Sequence, residues 1–133
     1  QVNAWHSDRA RERRWHSAVP IFIGAAGLLG LISPLRSTPL SVLWFTMACL
    51  TFTYLPTFWA IPTEILNQSV AATAVGMVNA VGSAAGFAGP YLFGYLNTRT
   101  GSFSSGLILM VVLALAGGML ILCIPRSARA LVR

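Results

Sequence analysis

The chain has 133 residues, 56% of them hydrophobic and 9% charged, with a mean hydropathy of +0.71. Soluble domains carry about 25% charged residues, so this composition excludes an ordinary soluble fold. A formal charge of +6 does not point to nucleic acid either: that needs cations spread over one face, and all nine basic residues here are arginines confined to the two ends and two isolated positions between.

The chain opens on Gln1 rather than methionine, which reads as a processed chain or a piece of something longer. Residues 1–16 read as a charged loop. Between Asp8 and Arg14 lie Arg9, Arg11, Arg13, Arg14 and the acids Asp8 and Glu12; from Trp15 to Pro125 only Arg36, Glu64 and Arg99 carry charge, histidines and thiols aside. The stretch before the arginines does not read as a signal peptide, where charge precedes the apolar region and a small-residue cleavage site comes after it. His6 and His16 stand in or beside this cluster without an acidic or cysteine partner at ligand spacing, so both are expected as solvated loop histidines. No cofactor motif and no catalytic constellation is present.

A bilayer core needs about 20 mostly apolar residues in a helix, and four stretches meet that length: residues 17–35, 40–61, 70–96 and 103–124. Arg36 to Pro39 separates the first two, and Pro125 ends the last before Arg126, Arg129 and Arg133. An open sheet in lipid would leave its edges unpaired, so the expected fold is an all-α membrane protein with four transmembrane helices. Four spans put both ends on one side of the bilayer, with seven arginines there against Arg36 and Arg99 opposite. By the positive-inside rule both ends are cytoplasmic, residues 125–133 forming a cytoplasmic tail and the charged cluster fixing the topology. Trp15, Trp44, Phe58, Trp59, Tyr91 and Tyr95 fall near span ends, where amphipathic rings favour the interface. Cys49 and Cys123 lie inside apolar runs and read as packing residues.

Residues 62–69 read as a short cytoplasmic connection. It holds Glu64, which there faces water or pairs with a loop arginine rather than relaying protons within the membrane. The third span is rich in small residues. On a helix Ala72, Gly76, Asn79, Ser83, Gly86 and Pro90 share one stripe, and Gly82 and Gly86 form a GxxxG with Gly89 close by. Such a face lets helices approach closely in lipid; alternatively it borders an aqueous cavity, with Asn79 and Ser83 as polar lining. Pro90 removes a backbone donor and is expected to kink the helix.

The cluster AWHSDRARERRWH resembles the signature loop of the major facilitator superfamily, roughly G-x-x-x-D-[RK]-x-G-[RK]-[RK]. It matches at Asp8, Arg9, Arg13 and Arg14 and departs at Ala4, Arg11 and Glu12. Its form looks like the second copy of that loop in the anion:cation symporter branch, which includes carriers of sugar acids, tartrate and aromatic acids. FWAIPTEIL (58–66) is similar to the end of that branch's tenth helix, and GFAGPYLFGYLNTRTGSF (86–103) to its eleventh helix and the loop after it. The resemblance covers nearly the whole chain and implies that the spans are helices nine to twelve, with Gln1 to Trp5 the tail of helix eight.

The resemblance further implies part of a multi-pass inner-membrane transporter of small organic anions, proton-coupled, in which two six-helix halves alternate access around a midplane site. Asp8, Arg9, Arg13 and Arg14 are implied to act as a hinge and latch. Tyr54 and Asn79 would at most line the cavity. The partners are the lipid bilayer, the N-terminal half that the chain lacks, and the anion and protons; the substrate arginine and coupling carboxylates are expected in that other half, so this piece alone should not transport. Two rivals remain on the residues alone: a dimeric four-helix multidrug exporter, which would need a membrane-embedded carboxylate, and an accessory subunit whose third span binds a partner helix.

Overall fold

The computed structural model describes residues 2–34 and 37–124. Gln1, Arg36 and the tail with Arg126, Arg129 and Arg133 lie outside the described residues. A short helix α1 (Val2–Ala10) is followed by α2 (Arg14–Ile32), α3 (Thr38–Cys49), a 3₁₀ segment (Leu50–Tyr54), α4 (Leu55–Ile65), α5 (Gln68–Thr100) and α6 (Phe103–Cys123). No strand occurs among the described residues. Four stretches are long and apolar enough to cross a membrane: α2, the run Thr38–Ile65, α5 and α6. The chain is a multi-pass, all-helical membrane protein.

Local chemistry carries several helices beyond the expected spans. The helix holding the first span begins at Arg14, ahead of residue 17, because the Glu12 carboxylate accepts the Trp15 amide proton at 2.8 Å. That satisfies one of the orphan donors at a helix start, where negative charge is also favoured. The expected loop over residues 1–16 is accordingly almost all helix, with only residues 11–13 left between α1 and α2. The second span starts at Thr38, where Ser37 Oγ accepts from the Leu40 amide at 3.4 Å, and continues to Ile65, so Glu64 lies in the last helical turn and not in a loop. The third span is one 33-residue helix with Pro90 inside it, closed by Gly101 at φ +66°. At 1.5 Å per residue it measures about 50 Å, beyond the ~30 Å of hydrocarbon, so it tilts or projects.

The 3₁₀ segment has a chemical cause. Pro56 has no amide proton to give the Phe52 carbonyl, and the Leu55 amide takes that acceptor one residue earlier, which is the 3₁₀ spacing.

Helix α2 is the centre of the assembly, with the second span on one side and α6 on the other; α5 leans on α6. Ala18 and Ile21 of α2, Ile61 of α4 and Ile121 of α6 form the buried cluster, with Phe22, Tyr54 and Phe58 against it. Close approach of α2 to the second span depends on glycine. A Cβ at Gly27 would stand 2.5 Å from the Ala48 nitrogen and 2.7 Å from the Trp44 carbonyl oxygen, Gly24 faces Thr51, and Gly30 lies under the Trp44 ring. The outer faces carry large apolar side chains, Phe45, Phe52, Phe87 and Leu120 among them, as a surface in lipid requires.

Candidate functional site

Among the described residues, all the charged ones except Arg99 converge at one end of the bundle, where α1, the start of α2 and the end of α4 meet. Arg13 is the hub. Its guanidinium pairs with Asp8 of α1 and with Glu64 of α4, Nη2 lying 2.8 Å and Nε 2.9 Å from Oε1. Nη1 also donates to Ser7 Oγ at 3.3 Å. The hydrogen bond to Glu64 raises the Arg13 pKa most; burial opposes it, and Asp8 adds to it. Arg13 therefore remains a fixed cation between two carboxylates from different elements. Glu64 has the arginine pairing expected for it, made from a helix rather than a loop.

Arg14 does something different. Its Nη1 donates to the Leu122 carbonyl at 3.0 Å and the Ile124 carbonyl at 2.7 Å, closing the C-terminal end of α6, where carbonyls lack partners and cations are favoured. Arg9 projects outward over the Trp5 ring, 5.6 Å from its centroid. The four signature residues thus divide into a hub with its acid (Arg13, Asp8), a helix cap (Arg14) and an exposed cation (Arg9).

The turn between α1 and α2 explains one departure from the signature. The Glu12 amide donates to the Ser7 carbonyl at 3.2 Å and the Arg11 amide to the Asp8 carbonyl at 3.3 Å, the paired bonds of a Schellman motif. Arg11 occupies the left-handed position, φ +50°, where the signature has glycine. A side chain costs about 1 kcal/mol there, so Arg11→Gly is expected to raise stability by about that amount, read as an upward shift in thermal unfolding.

Beneath the charges lies a buried polar network that the sequence did not reveal. Pro20 has no amide proton for the His16 carbonyl. Asn3 Nδ2 donates to that carbonyl at 2.8 Å and to the Thr53 carbonyl at 3.0 Å, and Thr57 Oγ1 approaches it at 3.3 Å. Ser17 Oγ donates to Thr57 Oγ1 at 2.9 Å; Ser17 and Thr57 are fully buried. The available signal was the spacing of His16 to Pro20, which frees a carbonyl, and the presence of an amide side chain nearby at Asn3.

The two histidines are not solvated singly, as expected, but paired. His6 Nδ1 lies 2.6 Å from His16 Nε2, and the Glu12 carboxylate is 3.5 Å from His16 Nδ1. The left-handed turn at Arg11 folds α1 back on α2 and brings together rings ten residues apart. No group of three metal-ligating side chains occurs among the described residues.

The third-span residues do not join this site. Gly76, Gly82, Gly86 and Gly89 have nothing within 4 Å of an added Cβ. Asn79 and Ser83 are exposed, Ser83 Oγ donating back to the Asn79 carbonyl at 2.9 Å. Tyr54 packs against the buried apolar cluster, its ring 5.8 Å from that of Phe58. Cys49 and Cys123, expected as packing residues, are exposed. At the opposite end a cavity of about 220 Å³ lies among Gly30, Ser33, Ser41, Trp44, Phe103 and Leu107, with no ionisable group among its described lining residues.

Among curated proteins the relatives are transporters. The chain is 33% identical over 129 residues to a protein of Agrobacterium vitis named as a tartrate transporter, covering 94% of this chain and 28% of the relative. It is 30% identical over 119 residues to the inner membrane transport protein RhmT of Escherichia coli, covering 87% of this chain and 27% of the relative. It is also 30% identical over 114 residues to a quinolone resistance transporter of Acinetobacter baumannii, covering 84% of this chain and 26% of the relative. The chain spans little more than a quarter of the length of these curated relatives. No family model matches it, and no solved structure matches it. Along nearly its whole length the chain is related to membrane transport proteins. It resembles the C-terminal part of a major facilitator superfamily transporter.

Proposed function

We propose that the chain forms helices nine to twelve of a secondary active transporter for small organic anions such as tartrate or sugar acids. Coupling is to protons, by alternating access, and the chain is inactive by itself. The charged end, the connection after α4 and residues 125–133 face the cytoplasm across the inner membrane, in keeping with the arginine asymmetry. Asn79 and Ser83 line the transport cavity, and the small-residue face of α5 adjoins the rest of the carrier. The relatives named for tartrate support the anion class; the relative named for quinolone resistance favours a drug-exporting carrier as the second reading.

The observation that carries the mechanism is Arg13, held between Asp8 of α1 and Glu64 of α4. One cation bridging two elements makes a latch: it stabilises the arrangement in which both acids reach it, and loses an acid when either element moves. Exposed ion pairs contribute up to about 1 kcal/mol, enough to bias two states by about fivefold. Asp8→Asn in the full-length carrier is expected to shift the balance of inward- and outward-facing forms by that factor and to slow uptake. Normal uptake with unchanged cysteine accessibility on both faces would remove the latch role and leave only topology anchoring.

A further inference from the structure

The histidine pair has no part in the latch, and its geometry has a chemical consequence. His6 Nδ1 and His16 Nε2 face each other at 2.6 Å, with the ring centroids 4.9 Å apart and the planes tilted by 42°. In such a contact one nitrogen donates and the other accepts. We propose that His6 and His16 form a proton-binding joint between α1 and α2, which carries one shared proton and opens when a second is bound.

The neutral pair has one N–H···N bond. A first added proton makes that bond charge-assisted, hence stronger, and the Glu12 carboxylate 3.5 Å from the far nitrogen of His16 stabilises the resulting cation. A second proton turns both facing nitrogens into donors. The bond is then lost, and two cations repel at contact distance. Imidazole is the side chain that ordinarily changes charge between about pH 5 and pH 8, and that is the range over which the pair is to be probed.

The surrounding charges leave the pair as the responsive element. Glu12 also accepts from the Trp15 amide and stands 3.8 Å from Arg14 Nε. Asp8 of α1 and Glu64 of α4 are engaged by Arg13, Arg9 lies over Trp5, and Arg11 forms the turn. The 3₁₀ segment and the start of α4 present the Thr53 carbonyl and the Thr57 hydroxyl, which are uncharged, and Tyr54 lies in the apolar cluster. The described residues of α6 carry no charge. Side-chain ties from α1 to its surroundings include the Asn3 amide, the Ser7 hydroxyl on the Glu12 carbonyl, the Ser7 and Asp8 contacts with Arg13, and this pair. Loss of the pair therefore loosens α1 near its middle, whichever substrate the carrier moves.

The test uses the membrane-reconstituted protein with Cys49 and Cys123 replaced by serine and spin labels at Val2→Cys and Trp15→Cys. Electron–electron distances are recorded from about pH 8 to about pH 5. One narrow distance is expected at the upper end, with a longer, broader component growing at least about threefold toward the lower end. His6→Gln, which keeps a neutral hydrogen-bonding partner, should hold the narrow distance throughout. An invariant distance in the parent, or an equal acid response in His6→Gln, overturns the joint. A second readout needs no substitution in the pair: at the upper pH, nitrogen-15 spectra should show through-bond coupling between His6 Nδ1 and His16 Nε2, as one N–H···N bond requires. Absence of that coupling overturns the joint as well.

Discussion

Gly27→Leu is expected to separate α2 from the second span and to cost about 3 kcal/mol or more. Overpacking costs about 1–3 kcal/mol where side chains can rearrange. Here the obstacles are backbone atoms, the Ala48 nitrogen at 2.5 Å and the Trp44 carbonyl oxygen at 2.7 Å, which cannot swing aside. The helices must part, and the contacts of Gly24 with Thr51 and Gly30 with Trp44 go with them. A lowered thermal midpoint in detergent, with loss of a disulfide engineered across the two spans, would record this. Gly82→Ala is the matched control. Nothing lies within 4 Å of its added Cβ, and alanine favours a helix over glycine by about 0.8–1.0 kcal/mol, so the chain by itself should tolerate it. Equal effects of the two substitutions would show that the glycines of α2 are not a packing surface.

Arg14→Ala should release the last turn of α6, at a cost of about 2 kcal/mol, the range for hydrogen bonds to a charged donor. The guanidinium serves the Leu122 and Ile124 carbonyls together, so its loss removes a charged donor from two acceptors at a helix end. Amide exchange in the last turn of α6 should speed up, while the middle of the helix keeps its protection. Arg14→Lys keeps the charge but cannot span both carbonyls with the same geometry, and should recover part of the loss. Unchanged exchange at the end of α6 in Arg14→Ala would defeat the assignment.

These residues also show how far the amino-acid order could be read. The spans were legible because each is a long run without charge, a signal that depends on composition rather than on partners. The Arg–Glu pairing was legible as one of two alternatives, the other being exposure to water: Glu64 is the sole acid after Glu12, and the loop supplied arginines. Helix limits were less legible because they rest on single side chains, Glu12 holding the Trp15 amide and Pro62 failing to stop α4. The glycines of α2 gave a weaker signal, Gly24, Gly27 and Gly30 repeating every three residues, than the denser small-residue stripe of α5. Density of small residues marks a helix that can be approached; which helix is approached depends on the neighbour. The histidine pair depended on the left-handed backbone at Arg11, which no propensity of arginine foretells.

The 3₁₀ segment Leu50–Tyr54 resolves a problem of phase in the second span. Five residues wound at three per turn instead of 3.6 rotate the rest of the span by about 100°, one residue's worth, and lengthen the axis by about 2.5 Å. Residues three apart eclipse in that winding, which lines up Thr51 with Tyr54. On either side of the segment the span meets α2, Ala48 of α3 at Gly27 and Thr57 of α4 at Ser17. Here one proline sets the rotation between the two parts of the span, and both parts pack on α2.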